Sequence, residues 1–245
     1  LLKILKTLNS DALSTEAANR LSSWEGEHGL ESVGPVIYYR WIYNILFMGL
    51  QDEMGIELFK SYMNSHLMKT SYPMLLYSFE SKWWDNLSTR EVENRNTIVN
   101  SAWKKTIDDL SQQLGKDFSG WRWKRVHTIE HSHPVGRQKP LDQFLNIGPE
   151  AIQGGNEVVN NLGFSIDSSG EYQVKFGPSM RRIIDFANPD VSFSVLPTGQ
   201  SGYFMAPHYD DQFAIFNANT FRSQLMKKDE IVKQAGKPLI LEPSK

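Results

Sequence analysis

The 245-residue chain contains no cysteine. That absence excludes disulfides, thiolate metal sites and a cysteine nucleophile, and leaves the redox compartment open. There is no run of 18 apolar residues, so no transmembrane helix is expected. Neither sign of charge dominates: 26 Lys and Arg face 28 Asp and Glu, a formal net charge of −2. With basic residues scattered rather than clustered, there is no electrostatic case for nucleic acid. Internal repeats and low-complexity linkers are also missing. The length suits one or two domains and suffices for a sizeable core.

What is present divides the chain in two. Residues 1–118 read as a helical region. Ile37, Trp41, Ile45 and Met48 fall on one helix face with Ile42 and Leu46 beside them, which predicts a deeply buried helix. Ser88 and Glu91 have the spacing of a capping box. Val92, Val99, Trp103, Ile107, Leu110 and Leu114 follow at helical spacing, and Gly115 stands where a helix stops. Leu1-Leu2-Lys3-Ile4-Leu5, without Met or a cap, reads as a start inside a helix.

Residues 119–245 read as β-rich. Val191, Phe193 and Val195 alternate with Ser192 and Ser194, the period of a half-buried strand. Ile184 and Phe186 precede them, and Asn188-Pro189-Asp190 between is a turn signal. The pair predicts an antiparallel hairpin, with Pro197-Thr198-Gly199 ending its second strand. Tyr172, Val174 and Phe176 read as a third strand. The tail Phe221–Gln234 reads as helical, and Pro238–Lys245 as an extended end.

Several constellations invite a chemical reading. Ser201, between Gln200 and Gly202, precedes His208, Asp210 and Asp211 and suggests a serine hydrolase triad. A nucleophile elbow needs Gly-x-Ser-x-Gly between a strand and a helix, whereas Gly202 directly follows Ser201. The spacing favours a structural loop in which glycines permit unusual backbone and Ser and Asp satisfy main-chain groups. His127, His131 and His133 raise a metal site, but Pro134 and the β-branched neighbours argue against the helix that i, i+4 ligation needs. Asp185, Asp190, Asp210 and Asp211 could hold a cation, yet each has a turn or arginine partner nearby. One of Arg181 and Arg182 is expected to point inward, toward Asp185 or Asp210. Gly154-Gly155 lacks the pattern of a phosphate loop and reads as a turn or a close backbone approach. No catalytic, cofactor-binding or metal-binding residue is therefore assigned within the chain.

The order Met180-Arg181-Arg182-Ile183-Ile184-Asp185-Phe186, Asn188-Pro189-Asp190, Gly199-Gln200-Ser201-Gly202 and Pro207-His208-Tyr209-Asp210-Asp211-Gln212 resembles the C-terminal signature of the penicillin acylase family. Trp121 through His127, then His131-Ser132-His133-Pro134-Val135-Gly136, and Gly154-Gly155-Asn156 with Val159-Asn160-Asn161 resemble two upstream motifs. The match is specific over about residues 119–226. Lys124 stands where the family usually has glycine. The resemblance implies an α+β fold, the C-terminal part of an αββα four-layer N-terminal-nucleophile (Ntn) hydrolase sandwich. A helical region is appended at the N-terminal side, and strands within 170–205 belong to one central sheet.

It also implies an amide hydrolase of the penicillin or acyl-homoserine-lactone acylase kind, matured by autoproteolysis. A β-subunit N-terminal serine is activated by its own amino group, and an asparagine with a backbone amide forms the oxyanion hole. Residue 1 is Leu, and those groups belong to sequence before the matched portion. The chain is thus expected to be the C-terminal part of a β-subunit, inactive alone. Its partners would be the α-subunit, the N-terminal part of the β-subunit and a small-molecule amide. Calcium belongs to some complete relatives, with ligands outside this segment, and the compartment implied is periplasmic or secreted. The tryptophans read mainly as core groups, with an acyl-binding wall as the other reading. A non-catalytic binding or scaffold module is the alternative function.

Overall fold

The computed structural model describes residues 11–236 and 239–243. The expected helical start at Leu1 lies outside them, as do parts of the expected extended end, of which 239–243 form no regular element. The chain divides into two compact units. One comprises the described residues through Glu130 together with Pro149–Gly177, the other His131–Gly148 and the described part of Pro178–Lys245.

In the first unit, α1 (Ala12–Ser23) starts at Asp11, whose carboxylate accepts the Ser14 N–H at 2.8 Å. Helix α2 (Gly34–Met63) carries Pro35 in its first turn and is kinked at Gly55, where φ is 71°. Then come α3 (His66–Tyr77), a 3₁₀ turn at Lys82–Trp84, α4 (Arg95–Leu114) and a 3₁₀ turn at Trp123–Arg125. The buried stripe of α2, Ile37, Trp41, Ile42, Ile45 and Leu46, meets Val99, Trp103, Ile107 and Leu110 of α4 in one core, as expected. Met48 is only half-buried. Trp41 and Trp103 meet edge to face at 5.0 Å. Burial leaves neither indole N–H unpaired: Trp41 donates to the Val99 carbonyl and Trp103 to the Ser14 hydroxyl. Each such side chain contributes about 1.5–3 kcal/mol by leaving water.

The expected capping box does not form. Asn94 is the N-cap of α4, accepting from the N–H groups of Asn96 and Thr97. Ser88 instead hydrogen-bonds Asn86, and Glu93 accepts from Asn86 N–H and the Thr89 hydroxyl. These side chains supply local acceptors that compete with the helix, so Val92 lies outside it and is exposed. Gly115 caps the other end, with φ 83°.

The expected third strand also differs. Tyr172 N–H donates to Val126 O and Val174 N–H to Thr128 O, at 2.7 and 2.8 Å. Residues 172–174 are thus extended backbone bound to 126–128 of their own unit and do not join the hairpin. Beyond Trp123–Arg125 run β1 (Thr128–His131), α5 (Asp142–Leu145) and β2 (Ile147–Ala151), with β1 and β2 paired.

The second unit holds the hairpin itself. β3 (Arg181–Ile184) pairs antiparallel with β4 (Ser192–Val195), which pairs with β5 (Arg222–Gln224). The register sets Ile183 opposite Phe193 and Arg181 opposite Val195. The expected alternation is only partly kept. Val195 is buried and Val191 exposed, while Ser192 is buried because its hydroxyl reaches the Pro189 carbonyl at 2.7 Å. Helix α6 (Phe213–Asn217) precedes β5, and α7 (Lys228–Gln234) follows it. The tail read as one helix therefore begins as a strand, since β4 offers its second edge to residues 222–224. The molecule is a mixed helix-and-sheet structure with small sheets.

Candidate functional site

The two patches that suggest a nucleophile and a base are two sides of one backbone latch in the second unit. Ser201 N–H donates to the His208 carbonyl at 3.0 Å, and Gln212 N–H to the Thr198 carbonyl at 3.0 Å. A Cβ built on Gly199 would lie 2.0 Å from the His208 carbonyl oxygen, so only glycine admits this approach. Gln212, almost fully buried, accepts the Leu196 N–H through its side chain. Its carbonyl receives the Phe216 N–H of α6.

The latch brings Ser201, His208 and Asp211 to one polar hollow of about 410 Å³, with Gln200, Gln212 and Arg222 completing its wall. The triad geometry is not there. The Ser201 hydroxyl accepts the Tyr203 N–H at 3.1 Å and faces the Tyr203 carbonyl, a closed turn of its own. His208 Nδ1 meets Asp211 Oδ2 at 2.9 Å with the imidazole largely exposed. Among the described residues His208 and Ser201 are joined through main-chain atoms, which gives the serine no base.

The other acidic candidates are spread out. Asp190 pairs with Lys227 at 3.2 Å, and Asp185 accepts the Ala187 N–H. Arg181 does turn inward, but onto Phe216. Its guanidinium sits 3.6 Å from that ring's centroid and donates to the Phe216 carbonyl. Burial lowers its pKa below the ordinary arginine value.

The three histidines occupy different surroundings. His127 is fully buried in the first unit, stacked on Trp123 at 4.5 Å, with Nδ1 on the Tyr172 carbonyl at 2.5 Å. Its Nε2 is buried without a partner, and burial pulls its pKa down to about 4. His131 lies edge-on to Phe213 and Phe216, and burial lowers its pKa as well. His133 accepts the Val135 N–H. No group of three His, Cys, Asp or Glu able to hold an ion is gathered among the described residues.

Gly154-Gly155 makes the close approach that its sequence suggests. Gly154 N–H donates to the His28 carbonyl, and its own carbonyl accepts the Trp123 indole at 2.9 Å. With φ at 107° and the Asn160 carbonyl 2.4 Å from a would-be Cβ, the position requires glycine. His28 completes this layer, bonding the Tyr39 hydroxyl at 2.9 Å. The motif histidine, tryptophan and glycines thus form one packed layer. Trp24 is half-buried and Trp83 exposed, while the other five tryptophans are fully buried.

Sequence reading passed over a charged cluster in the first unit. Asp109 Oδ2 accepts Arg40 Nε and Nη2 at 3.0 and 2.9 Å and Asn44 Nδ2 at 3.0 Å, while Oδ1 accepts Lys105 at 3.0 Å. Burial pushes the Asp109 carboxyl up, but the bonds from Lys105 and Asn44 and the charge of Arg40 outweigh it and hold the pKa low. The signal was there in the spacing: Arg40 and Asn44 stand four apart in the apolar α2, as do Lys105 and Asp109 in α4.

Comparison with known proteins places these features. The penicillin amidase family model matches residues 1–233. The acyl-homoserine lactone acylase QuiP of Pseudomonas syringae pv. tomato DC3000 is 24% identical over 240 residues, covering 94% of this chain and 28% of that protein. QuiP of Pseudomonas fluorescens Pf0-1 is 26% identical over 199 residues, 79% of this chain and 23% of that one. Penicillin acylase 2 proenzyme of Pseudomonas sp. SE83 is 25% identical over 154 residues, 62% of this chain and 20% of that protein. A thermostable penicillin G acylase structure from Alcaligenes faecalis superposes with a TM-score of 0.49 at 15% identity, covering 99% of this chain and 45% of that one. The chain therefore spans less than a third of the length of these curated relatives. No helix among the described residues is long and apolar enough to cross a membrane. With a family model covering nearly its whole length and all three motifs built into packed structure, the chain belongs to the penicillin amidase family.

Proposed function

We propose that this chain is the C-terminal part of the β-subunit of an Ntn acylase, which cleaves an acyl group from an amine. The nucleophilic serine and the oxyanion asparagine lie in sequence outside it. The observation that carries the reading is family membership over residues 1–233, in a chain whose own Ser201 and His208 are tied into a latch. The relatives' activities point the same way, toward acyl-homoserine lactones or β-lactam amides as substrates.

In this reading the chain's residues position rather than react. The latch holds the β3–β4 hairpin and α6 in register, and the Trp123–His127–Gly154 layer holds the helical core to residues 152–172. The remainder of the precursor is the partner, the four-layer sandwich is the architecture of the whole, and the compartment is periplasmic or secreted.

Intact-mass and N-terminal analysis of the protein from its source tests this. A companion polypeptide beginning with serine, together with amide hydrolysis by the assembly, is the expected result. A stable monomer of only these 245 residues, without hydrolase activity, would refute it and leave a non-catalytic module.

A further inference from the structure

The first unit contains a cavity of about 620 Å³ between α2, from Arg40 to Met63, Lys105 of α4 and residues 167–169. This volume lies in the range of small-molecule sites. The two ends of the cavity differ in chemistry. Tyr43, Phe47 and Phe59 form an aromatic wall, with ring centroids 5.5–6.1 Å apart, and Ile56 extends it to the mouth. The kink at Gly55 breaks α2 beside that mouth and leaves Ile56 43% exposed.

The other end is built from the charged cluster. Asp109 is used up by Arg40, Asn44 and Lys105, one carboxylate against two cations. Arg40 spends a further N–H on the Ser168 carbonyl at 2.8 Å, which leaves two of its five N–H groups uncommitted. Lys105, half-exposed, spends one of three donors. Asn44 Oδ1, itself an acceptor, is buried without a partner and offers a ligand no donor. The second carboxylate of the lining, Asp167, is turned onto the N–H and hydroxyl of Ser169 within its own loop. Lys60 at the rim is paired with Glu57. Arg40 and Lys105 thus keep unused donors in a cavity whose other wall is apolar.

The geometry points to a binding site for a medium-chain monocarboxylic acid, its carboxylate on Lys105 and Arg40 and its tail along Phe47, Phe59 and Ile56. A carboxylate supplies the acceptors that the two cations lack, through charge-assisted bonds. The tail removes apolar surface from water on both sides. This cavity belongs to the first unit and the Ser201 latch to the second.

Sodium octanoate titrated into the protein as isolated from its source, with any companion polypeptide it carries, and followed by calorimetry and ligand-observed NMR, tests the assignment. Saturable one-to-one binding is expected in the millimolar range or tighter, as fits about ten heavy atoms. Octanol, with the same tail and no charge, should bind at least about tenfold more weakly. Lys105→Met, at a half-exposed position, should weaken octanoate about tenfold and leave octanol unchanged. Ile56→Glu, at the mouth, should weaken both. No saturable octanoate binding at about 10 mM, octanol binding as tight as octanoate, or octanoate affinity unmoved by both variants would each overturn the proposal. Circular dichroism of the two variants separates a lost site from a lost fold.

Discussion

The main-chain carbonyl oxygen of His208 stands 2.0 Å from the point where a Cβ on Gly199 would sit. Two stretches that resemble a nucleophile and its base are held so close because neither carries a side chain into the gap. Each stretch supplies hydrogen-bond partners to the other's backbone, through Ser201 to His208 and Gln212 to Thr198.

Gly199→Ala should therefore destabilise the fold by about 1–3 kcal/mol, the scale of overpacking a close contact. Gly202→Ala is the control, because a Cβ there meets nothing within 4 Å. Urea unfolding midpoints of the two variants, measured side by side, give the comparison. Equal midpoints would show that the latch is looser than described.

Ser201→Ala should leave turnover of the complete enzyme nearly unchanged, since its hydroxyl serves only the Tyr203 turn. A fall of about a thousandfold, the scale on which catalytic groups act, would restore the serine to the chemistry.

His127 makes stability depend on pH. Buried neutral with a pKa near 4, it resists protonation in the fold, whereas the unfolded chain takes up the proton near pH 6.5. Stability is full above about pH 6.5, falls as pH drops toward 4 and has lost about 3 kcal/mol from this group below that. His28 and His131, also lowered by burial, act in the same direction. His127→Gln should flatten the slope between pH 6.5 and 4 in thermal melts. An unchanged slope would assign it to other groups.

Asp109→Ala should cost about 3–5 kcal/mol, because it strands Arg40 beside Asn44 with no counter-charge. Acid should act in the same sense. The Asp109 pKa lies below its unfolded value, so its contribution is present above about pH 4 and is lost as pH falls through the lower, folded value. Chemical denaturation at neutral pH and at pH 3 measures both. The variant and the parent should differ less in acid than at neutrality.

Local signals carried much of this fold. The α2 stripe from Ile37 to Leu46, the stop at Gly115 and the Asn188-Pro189-Asp190 turn were legible because each depends on periodicity or on one residue's backbone preference. Signals went astray where side chains compete for the same backbone groups. Asn94 rather than Ser88 caps α4, and residues 222–224 take the free edge of β4 although their neighbours favour helix. Residues 172–174 illustrate the same limit: an extended segment does not announce which edge it will bind.

By itself the sequence determined the family, the helical first part and the hairpin, since motif order and hydrophobic period survive without knowledge of distant contacts. Only the tertiary structure decided that Ser201 and His208 are locked to each other through backbone, that His127 lies in a buried aromatic layer, and that Arg40, Asn44, Lys105 and Asp109 meet. Those outcomes depend on which donors and acceptors long-range packing brings within about 3 Å, and spacing along a chain does not encode that distance.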